Sequence, residues 1–489
     1  MARTPAKYPN LLFIYTDEQA YNTLAAYGNT AIHMPNLNRL AQRCTVFDRA
    51  YVTQPVCTPS RSSLLTGLYP HKNGCTENNI PLSEDIPCLP EMIERGDYAT
   101  AHFGKWHLGD EIFAQHGFEQ WRSIEDHYSH YFSKGRDKNS HSSYHDFLLQ
   151  NGFTPTDGSR FSRPEAARMP EQFGKPAYLA QEASSFIRQN SDHPFVLYVN
   201  FFEPHMPFFG PRDNQYDPAS IPLPPNFDCP PAENQPLKTR LLQEHYLRYG
   251  HSGLPLQTPD DWRKMIANYW GLCSLIDTHI GTILSTMDQH DLWDNTIVVF
   301  TSDHGDMMGS RRLVGKYVMF EEAIRVPLMI GIPGQHNGRR VRGPVSQIDI
   351  VPTLLDLMGQ PVHSHLQGKS LCPLLDGRRD IHREDVFVEW NGANNGLGDK
   401  IGEVSIPQWM NESYSKEKIE SAMRDPVRTI INPDGWKYCW SSIDEDELYN
   451  LNDDPLETRN LAADRDFGGI KDDLKQRIKE WKVGVGDKV

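Results

Sequence analysis

Two pairs of adjacent metal-competent side chains stand far apart in the chain: Asp17-Glu18 and Asp303-His304. Each pair follows a short apolar run. Carboxylates gathered at one place repel each other unless a cation joins them, and a hard divalent ion with oxygen ligands is the natural partner. The imidazole suits calcium less well than a pure oxygen shell would, and it leaves manganese open. Either pair alone reads as loop carboxylates beside a solvated histidine; two pairs at matching strand ends read as one ion site. A third stretch, Val56-Cys57-Thr58-Pro59-Ser60-Arg61, places a thiol just before a helix opening at Pro59 or Ser60. Free N–H groups and the positive dipole end at a helix start stabilise a thiolate or another oxyanion. Arg61 adds a fixed positive charge. The spacing defines an anion site with a nucleophile, and it leaves open Cys57, Ser60 and Ser62.

Apolar runs must carry these groups. Leu11 to Tyr15 ends in Thr16-Asp17-Glu18. Tyr98 to Phe103 ends in Gly104-Lys105-Trp106-His107, and Phe195 to Phe202 ends in Glu203-Pro204-His205. Thr296 to Thr301 ends in Ser302-Asp303-His304, and a fifth strand is expected over Val326 to Ile332. Short unbroken apolar runs bounded by polar residues suit buried parallel strands. Helical spacing over Asn36 to Cys44, Ser60 to Thr66 and Trp262 to Asp288 supplies the layers between them. The fold class expected is α/β, a large, mostly parallel sheet sandwiched by helices, with its ligand site beyond the carboxyl ends of the strands. After about Asp376 the texture changes. Asp385 to Trp390, a hairpin of Val427 to Ile431 with Trp436 to Trp440, and a closing helix over Asp472 to Trp481 predict a smaller C-terminal antiparallel α+β subdomain. Residues 1–376 are expected to form the catalytic domain and 377–489 the subdomain. Asp126 to Pro170 reads as a polar excursion over the site, with His127, His130, His141 and His145 at its fringe.

Cys57-Thr58-Pro59-Ser60-Arg61, followed by Leu64-Leu65-Thr66-Gly67, resembles the signature of the type I sulfatases, in the alkaline-phosphatase-like superfamily. Leu12 to Gln19 resembles the first metal strand of that family. Gly104-Lys105-Trp106-His107 resembles its Gly-Lys-Trp-His motif, and Pro204-His205-Met206-Pro207 its later histidine. Ser302-Asp303-His304-Gly305 and Gly315-Lys316 resemble its second metal pair and its sulfate-binding lysine. Glu447 to Pro455 resembles its C-terminal segment. The matches fall in family order. The resemblance implies oxidation of Cys57 to Cα-formylglycine by a formylglycine-generating enzyme, whose aldehyde hydrate is the nucleophile. It implies one divalent metal, Ca2+ first and Mn2+ or Mg2+ as alternatives, held by Asp17, Glu18, Asp303 and His304 and touching the modified Cys57. Arg61 would anchor that residue, Lys105 and Lys316 would hold sulfate oxygens, His107 would be the base, and His205 would serve the leaving oxygen. Trp106 is read as packing that orients Lys105 and His107.

The chain departs from the family at two places. Many members have Asp-Asp where this one has Asp17-Glu18, and Asn where it has His304. A histidine there occurs in phosphonate monoester hydrolases, so a phosphonate monoester or phosphodiester hydrolase is the alternative to a sulfuric ester hydrolase. The substrate expected is a small anionic ester, a sulfated carbohydrate or an alkyl or aryl sulfate. Arg311 and Arg312 are placed to read a second anionic group. Trp390 and Asn391, opening a loop to Asp399, are placed to stack on and hydrogen-bond a sugar.

Composition narrows the partners. The 489 residues carry 49 Lys+Arg against 64 Asp+Glu, a net charge of −15. A chain this acidic lacks the basic face that general nucleic-acid binding needs. No apolar run reaches the roughly 18 residues that cross a bilayer, so no membrane partner is expected. The sequence as it stands reads as cytoplasmic, and as periplasmic or secreted if a signal has been removed. Eight cysteines without a CxxC pair read as reduced, mostly buried thiols, with Cys57 the exception. An oligomer is compatible with all of this.

Overall fold

The computed structural model describes residues 8–229, 233–378, 385–392 and 407–489. Eight strands form the main sheet: β1 (Asn10–Asp17), β2 (Thr45–Tyr51), β3 (Ala99–Gly104), β4 (Gln120–Arg122), β5 (Phe195–Pro204), β6 (Thr296–Ser302), β7 (Arg325–Gly331) and β8 (Arg339–Ser346). Their order is β4-β3-β5-β1-β6-β7-β2-β8. β1 lies between β5 and β6 and is parallel to both, with Leu11 opposite Val196 and Ile297. Leu11, Leu12, Phe13 and Ile14 have no exposed surface, as expected of a strand covered on both faces.

The parallel run has one exception. β7 pairs antiparallel with β6 and with β2. A parallel return would need a crossover beneath the sheet. Here the chain stays at the carboxyl edge between Asp303 and Ile324, and that keeps Lys316 beside the strand ends. β2, β4 and β8 carry no unbroken apolar run. β8 is an edge strand with three arginines and Pro344, a pattern that blunts an edge.

The long helix Pro259–Gln289 packs against Lys175–Gln189 on one face of the sheet. It starts earlier than its apolar spacing predicts, because Thr258 accepts from the Asp261 N–H and Pro259 takes the first position. Helix Cys57–Thr66, buried along its whole length, packs against Ile350–Leu357.

The second sheet is antiparallel, in the order β12-β11-β10-β9, from β9 (Val386–Trp390), β10 (Val427–Ile431), β11 (Trp436–Ser441) and β12 (Glu447–Asn450). Alternation along β9 divides its two faces. Val386, Val388 and Trp390 join the main core. Phe387 packs with Ile430, Tyr438, Leu474 and Ile478 under the closing helix Gly468–Val485. All eight cysteines are free. Among the described residues no helix is long and apolar enough to cross a membrane.

Candidate active site

The carboxyl ends of β1, β3, β5 and β6 bring Asp17, Lys105, His205 and Asp303 to one edge, and helix Cys57–Thr66 points its first turn at them. Arg61, one turn into that helix and fully buried, ties the edge together. Its Nη2 donates to Asp17 Oδ2 at 2.7 Å, its Nε to Asp303 Oδ2 at 2.9 Å and its Nη1 to the Lys105 carbonyl at 2.8 Å. Lys105 Nζ also donates to Asp17 Oδ2, at 2.6 Å. The Oδ2 atoms of both aspartates are thereby taken by cations. Asp17 Oδ1 is left facing Cys57 Sγ at 3.9 Å. Asp303 Oδ1 accepts from the Glu18 and His304 N–H groups and lies 3.6 Å from His304 Nε2.

Cys57 Sγ sits at the centre, 3.3 Å from His304 Nε2 and 3.1 Å from Lys316 Nζ. His304 Nδ1 donates to the Gly305 carbonyl at 2.9 Å, so the lone pair of Nε2 points inward. Both Glu18 carboxylate oxygens are buried without a hydrogen-bond partner, 3.4 Å from Lys316 Nζ and 3.5 Å from His205 Nε2. A buried orphan carboxylate is costly unless a cation satisfies it. Ligand atoms of Asp17, Cys57, Asp303 and His304 lie within 4.8 Å of one another, as do those of Asp17, Glu18 and His205. Asp17 is common to both groups: Asp303 and His304 join it around Cys57, whereas Glu18 meets it on the side of His205, and carboxylate oxygens with an imidazole nitrogen are a donor set that suits a divalent ion.

Burial sets the charge states. It raises Asp17, but Lys105, His205 and Arg61 outweigh it and hold the carboxyl well below the usual range. Glu18 is pushed up to about 7 by burial against the pull of Lys316. Burial, with Asp17, also raises the Cys57 thiol despite Lys105 and Lys316. The thiol is therefore protonated at neutral pH and a poor nucleophile as it stands. His107 and His205 are held well below the ordinary histidine value, by burial first and then by nearby cations.

The backbone is bent to make these placements. Glu18, His107 and Tyr317 have φ of 67°, 62° and 78°, a left-handed conformation costing side-chain-bearing residues roughly 1–3 kcal/mol each. Two glycines are steric necessities. A Cβ at Gly104 would lie 1.9 Å from the Asn200 carbonyl oxygen, and one at Gly305 would lie 2.0 Å from that of Glu322.

Several supporting residues have no motif in the sequence. Glu111 accepts the N–H groups of Trp106 and His107 at 2.8 and 2.6 Å. Asn79 Oδ1 faces His107 Nε2 at 3.0 Å, and the Tyr128 ring lies 4.5 Å from the His107 ring. Trp106 is fully buried, edge-on to His102 and Trp121. Ser60 Oγ lies within hydrogen-bond reach of both the Asp303 carbonyl and Gln347 Oε1, the latter at 2.9 Å, with one proton to give between them, and Ser62 donates to the Pro59 carbonyl. Of the three candidate nucleophiles, Cys57, Ser60 and Ser62, only Cys57 faces the ligand set.

The outer substrate residues are placed differently from expectation. Trp390 is completely buried, with Lys238 Nζ 3.6 Å above its ring and Tyr317 edge-on at 6.1 Å, so it offers no face to a sugar. Its alternation along β9 drives it into the core. Arg312 points outward to Asp228 at 2.6 Å, and Arg311 is buried, donating to the carbonyls of Leu456 and Glu457. Neither arginine reaches the cluster. Asn391 donates to Gln54 Oε1 at 2.7 Å and accepts from Arg428 at 2.9 Å. It stands near the segment leading to Cys57 with its amide engaged. Residues 393–399 of its loop lie outside the described residues. In the excursion His127, His130 and His141 are exposed, and His145 is buried against Asp126.

A mostly parallel sheet between helices thus carries a buried carboxylate–imidazole cluster at its carboxyl edge, beside a second, antiparallel sheet. Residues 9–360 match the family model described as Sulfatase, and the chain belongs to that family and is an enzyme, a sulfatase. It is 27% identical to the uncharacterized sulfatase YidJ of Escherichia coli, over 98% of this chain and 88% of that protein. It is 29% identical to a choline-sulfatase of Rhizobium meliloti, over 93% of this chain and 82% of that one. Among solved structures, the phosphonate monoester hydrolase of Silicibacter pomeroyi superposes with a TM-score of 0.78 at 23% identity, covering 98% of this chain and 96% of that one.

Proposed function

We propose that this enzyme hydrolyses sulfate monoesters, either sulfated carbohydrates or small alkyl or aryl sulfates, through a nucleophile formed from Cys57. Residues 1–376 would be the catalytic unit and 377–489 a supporting subdomain. The observation that carries this reading is the position of Cys57 Sγ, within 3.1–3.9 Å of Lys316 Nζ, His304 Nε2 and Asp17 Oδ1, in a setting that keeps the thiol protonated.

Oxidation of Cys57 to Cα-formylglycine by a formylglycine-generating enzyme supplies, once hydrated, one hydroxyl to attack sulfur and a second to expel sulfate. Asp17, Glu18, Asp303 and His304 would hold one divalent ion, Ca2+ first and Mn2+ or Mg2+ as alternatives, and that ion supplies Lewis-acid charge at the reacting centre. The remaining roles belong to the chain itself. Arg61 anchors the first turn of the helix and both aspartates. Lys316 and Lys105 neutralise the sulfate oxygens. His107, held neutral, accepts the proton of the second hydroxyl through Nδ1, since Nε2 faces Asn79. His205 spends its Nδ1 proton on the Met206 carbonyl at 2.7 Å, so Nε2 is the atom turned to the leaving oxygen, and it donates there only once the ring takes a second proton.

A phosphonate monoester or phosphodiester is the second reading, favoured by the imidazole of His304 in the ligand set. Both readings need the modified Cys57. Mass measurement of the tryptic peptide Ala50–Arg61 tests this on protein co-expressed with a formylglycine-generating enzyme. An aldehyde in place of the thiol is expected, and a persistent thiol would overturn the proposed nucleophile.

A further inference from the structure

The neck of the polar excursion carries a second cluster of ligating groups, separate from the catalytic edge. Asp126 opens the loop, and its Oδ1 accepts the Ser142 N–H at 2.6 Å, which closes the neck. Asp126 Oδ2 lies 3.1 Å from His145 Nδ1, with side-chain exposures of 6% and 4%. The ring of His141 stacks on that of His145 at 4.0 Å and 14°. One ligand atom from each of Asp126, His141 and His145 lies within 4.8 Å of the other two.

We propose that Asp126, His141 and His145 form a site for a zinc-class divalent cation that clamps the neck of the excursion. Two imidazoles and one carboxylate are a borderline-soft donor set, which selects zinc over calcium. Zinc bonds of about 2.0–2.1 Å at tetrahedral angles hold donors about 3.4 Å apart. The Asp126–His145 pair, at 3.1 Å, is near that spacing as a hydrogen bond, which zinc would replace with His145 in the tautomer that leaves Nδ1 unprotonated. His141 is the exposed member, and its ring would turn its edge inward, out of the stack on His145, to complete the set, with water at the fourth position.

The clamp has a mechanical target. Tyr128, two residues beyond Asp126, lies against His107 and accepts from Arg163 Nη2 at 2.8 Å. Closing the neck fixes the chain that carries Tyr128 over this proposed base.

Calorimetric titration of the calcium-loaded full chain with Zn2+ tests the site, with His141→Ala and His130→Ala compared in parallel. His130 is exposed in the same loop but outside the neck. Wild type and His130→Ala should bind one more zinc equivalent than His141→Ala, or the same equivalent at least about tenfold more tightly. Zinc should also slow proteolysis within residues 127–141 in wild type and leave His141→Ala unprotected. Equal zinc stoichiometry and affinity in wild type and His141→Ala would overturn the proposal. Because His141 touches no catalytic group, calcium-dependent ester hydrolysis by His141→Ala without zinc reports separately on the function proposed above.

Discussion

At the scale of single residues, Arg61 decides whether the cluster can exist. Its guanidinium satisfies the Oδ2 atoms of Asp17 and Asp303 in a site with no solvent. Removing one partner of a buried ion network leaves uncompensated charge, at a cost of roughly 3–5 kcal/mol. Arg61→Met should lose stability of that size in denaturant unfolding of the metal-free protein. A loss within experimental error would show that the aspartates are held by something else. Glu18 makes a second prediction. With its carboxyl at about 7 in the metal-free protein, it is about half protonated at neutral pH and must ionise to meet a cation. Adding a divalent ion near pH 7 should therefore release protons, on the order of half a proton per site from Glu18, measurable by titrating in buffers of different ionisation enthalpy. Most of this cluster was legible in the sequence, because Asp17, Asp303, Lys105, Lys316 and Cys57 each sit in a short motif. Glu111, Asn79 and Tyr128 were not, since each acts through a backbone N–H, a ring nitrogen or a ring face that no local pattern announces.

At the scale of elements, β9 separates packing from recognition. Trp390 shares a face with Val386 and Val388 in the main core. Trp390→Ala should cost about 3–5 kcal/mol of stability as a cavity mutation, and Trp390→Phe should leave KM for the ester within about twofold. A large rise in KM with unchanged stability would restore the sugar-stacking role. The docking of the closing helix should depend on pH. His71 Nδ1 pairs with Glu389 at 2.5 Å and Nε2 faces the Val485 carbonyl, at the end of that helix. Against partial burial, Glu389 raises the imidazole above its ordinary value. A folded-state value above the unfolded one means that this stabilisation is fully present below about 6.5 and is lost as pH rises through the raised value. Hydrogen exchange in Gly468–Val485 should quicken over that range beyond the intrinsic chemistry, and His71→Gln should remove the extra pH dependence. β1, β5 and β6 were legible as apolar runs, buried on both faces. β2 and β8 were not, because their polar residues lie at bulges and at the sheet edge.

At the scale of the whole molecule, the order of the sheet turns separate motifs into one site. β1 at the centre, with β5 and β6 beside it and β3 beyond β5, converts four distant strand ends into one edge. The antiparallel turn into β7 keeps Lys316 there. The net charge of −15 would repel an anionic ester in general, and at the site the buried cations Arg61, Lys105 and Lys316 offset the carboxylates of Asp17, Asp303 and Glu18. The alternation of strands and helices made the architecture legible, but the reversal of β7 was not, since direction within a sheet leaves no mark on an apolar run.

The central claim is sulfate ester hydrolysis that depends on Cys57. Its most direct test compares kcat/KM on an aryl sulfate, a phosphodiester and a phosphonate monoester with one shared leaving group. The full chain would be co-expressed with a formylglycine-generating enzyme and supplied with Ca2+, alongside Cys57→Ala. The sulfate should be the best substrate, and Cys57→Ala should lower its kcat/KM by at least about a thousandfold. Far faster turnover of either phosphorus ester, or activity retained by Cys57→Ala, would contradict the account.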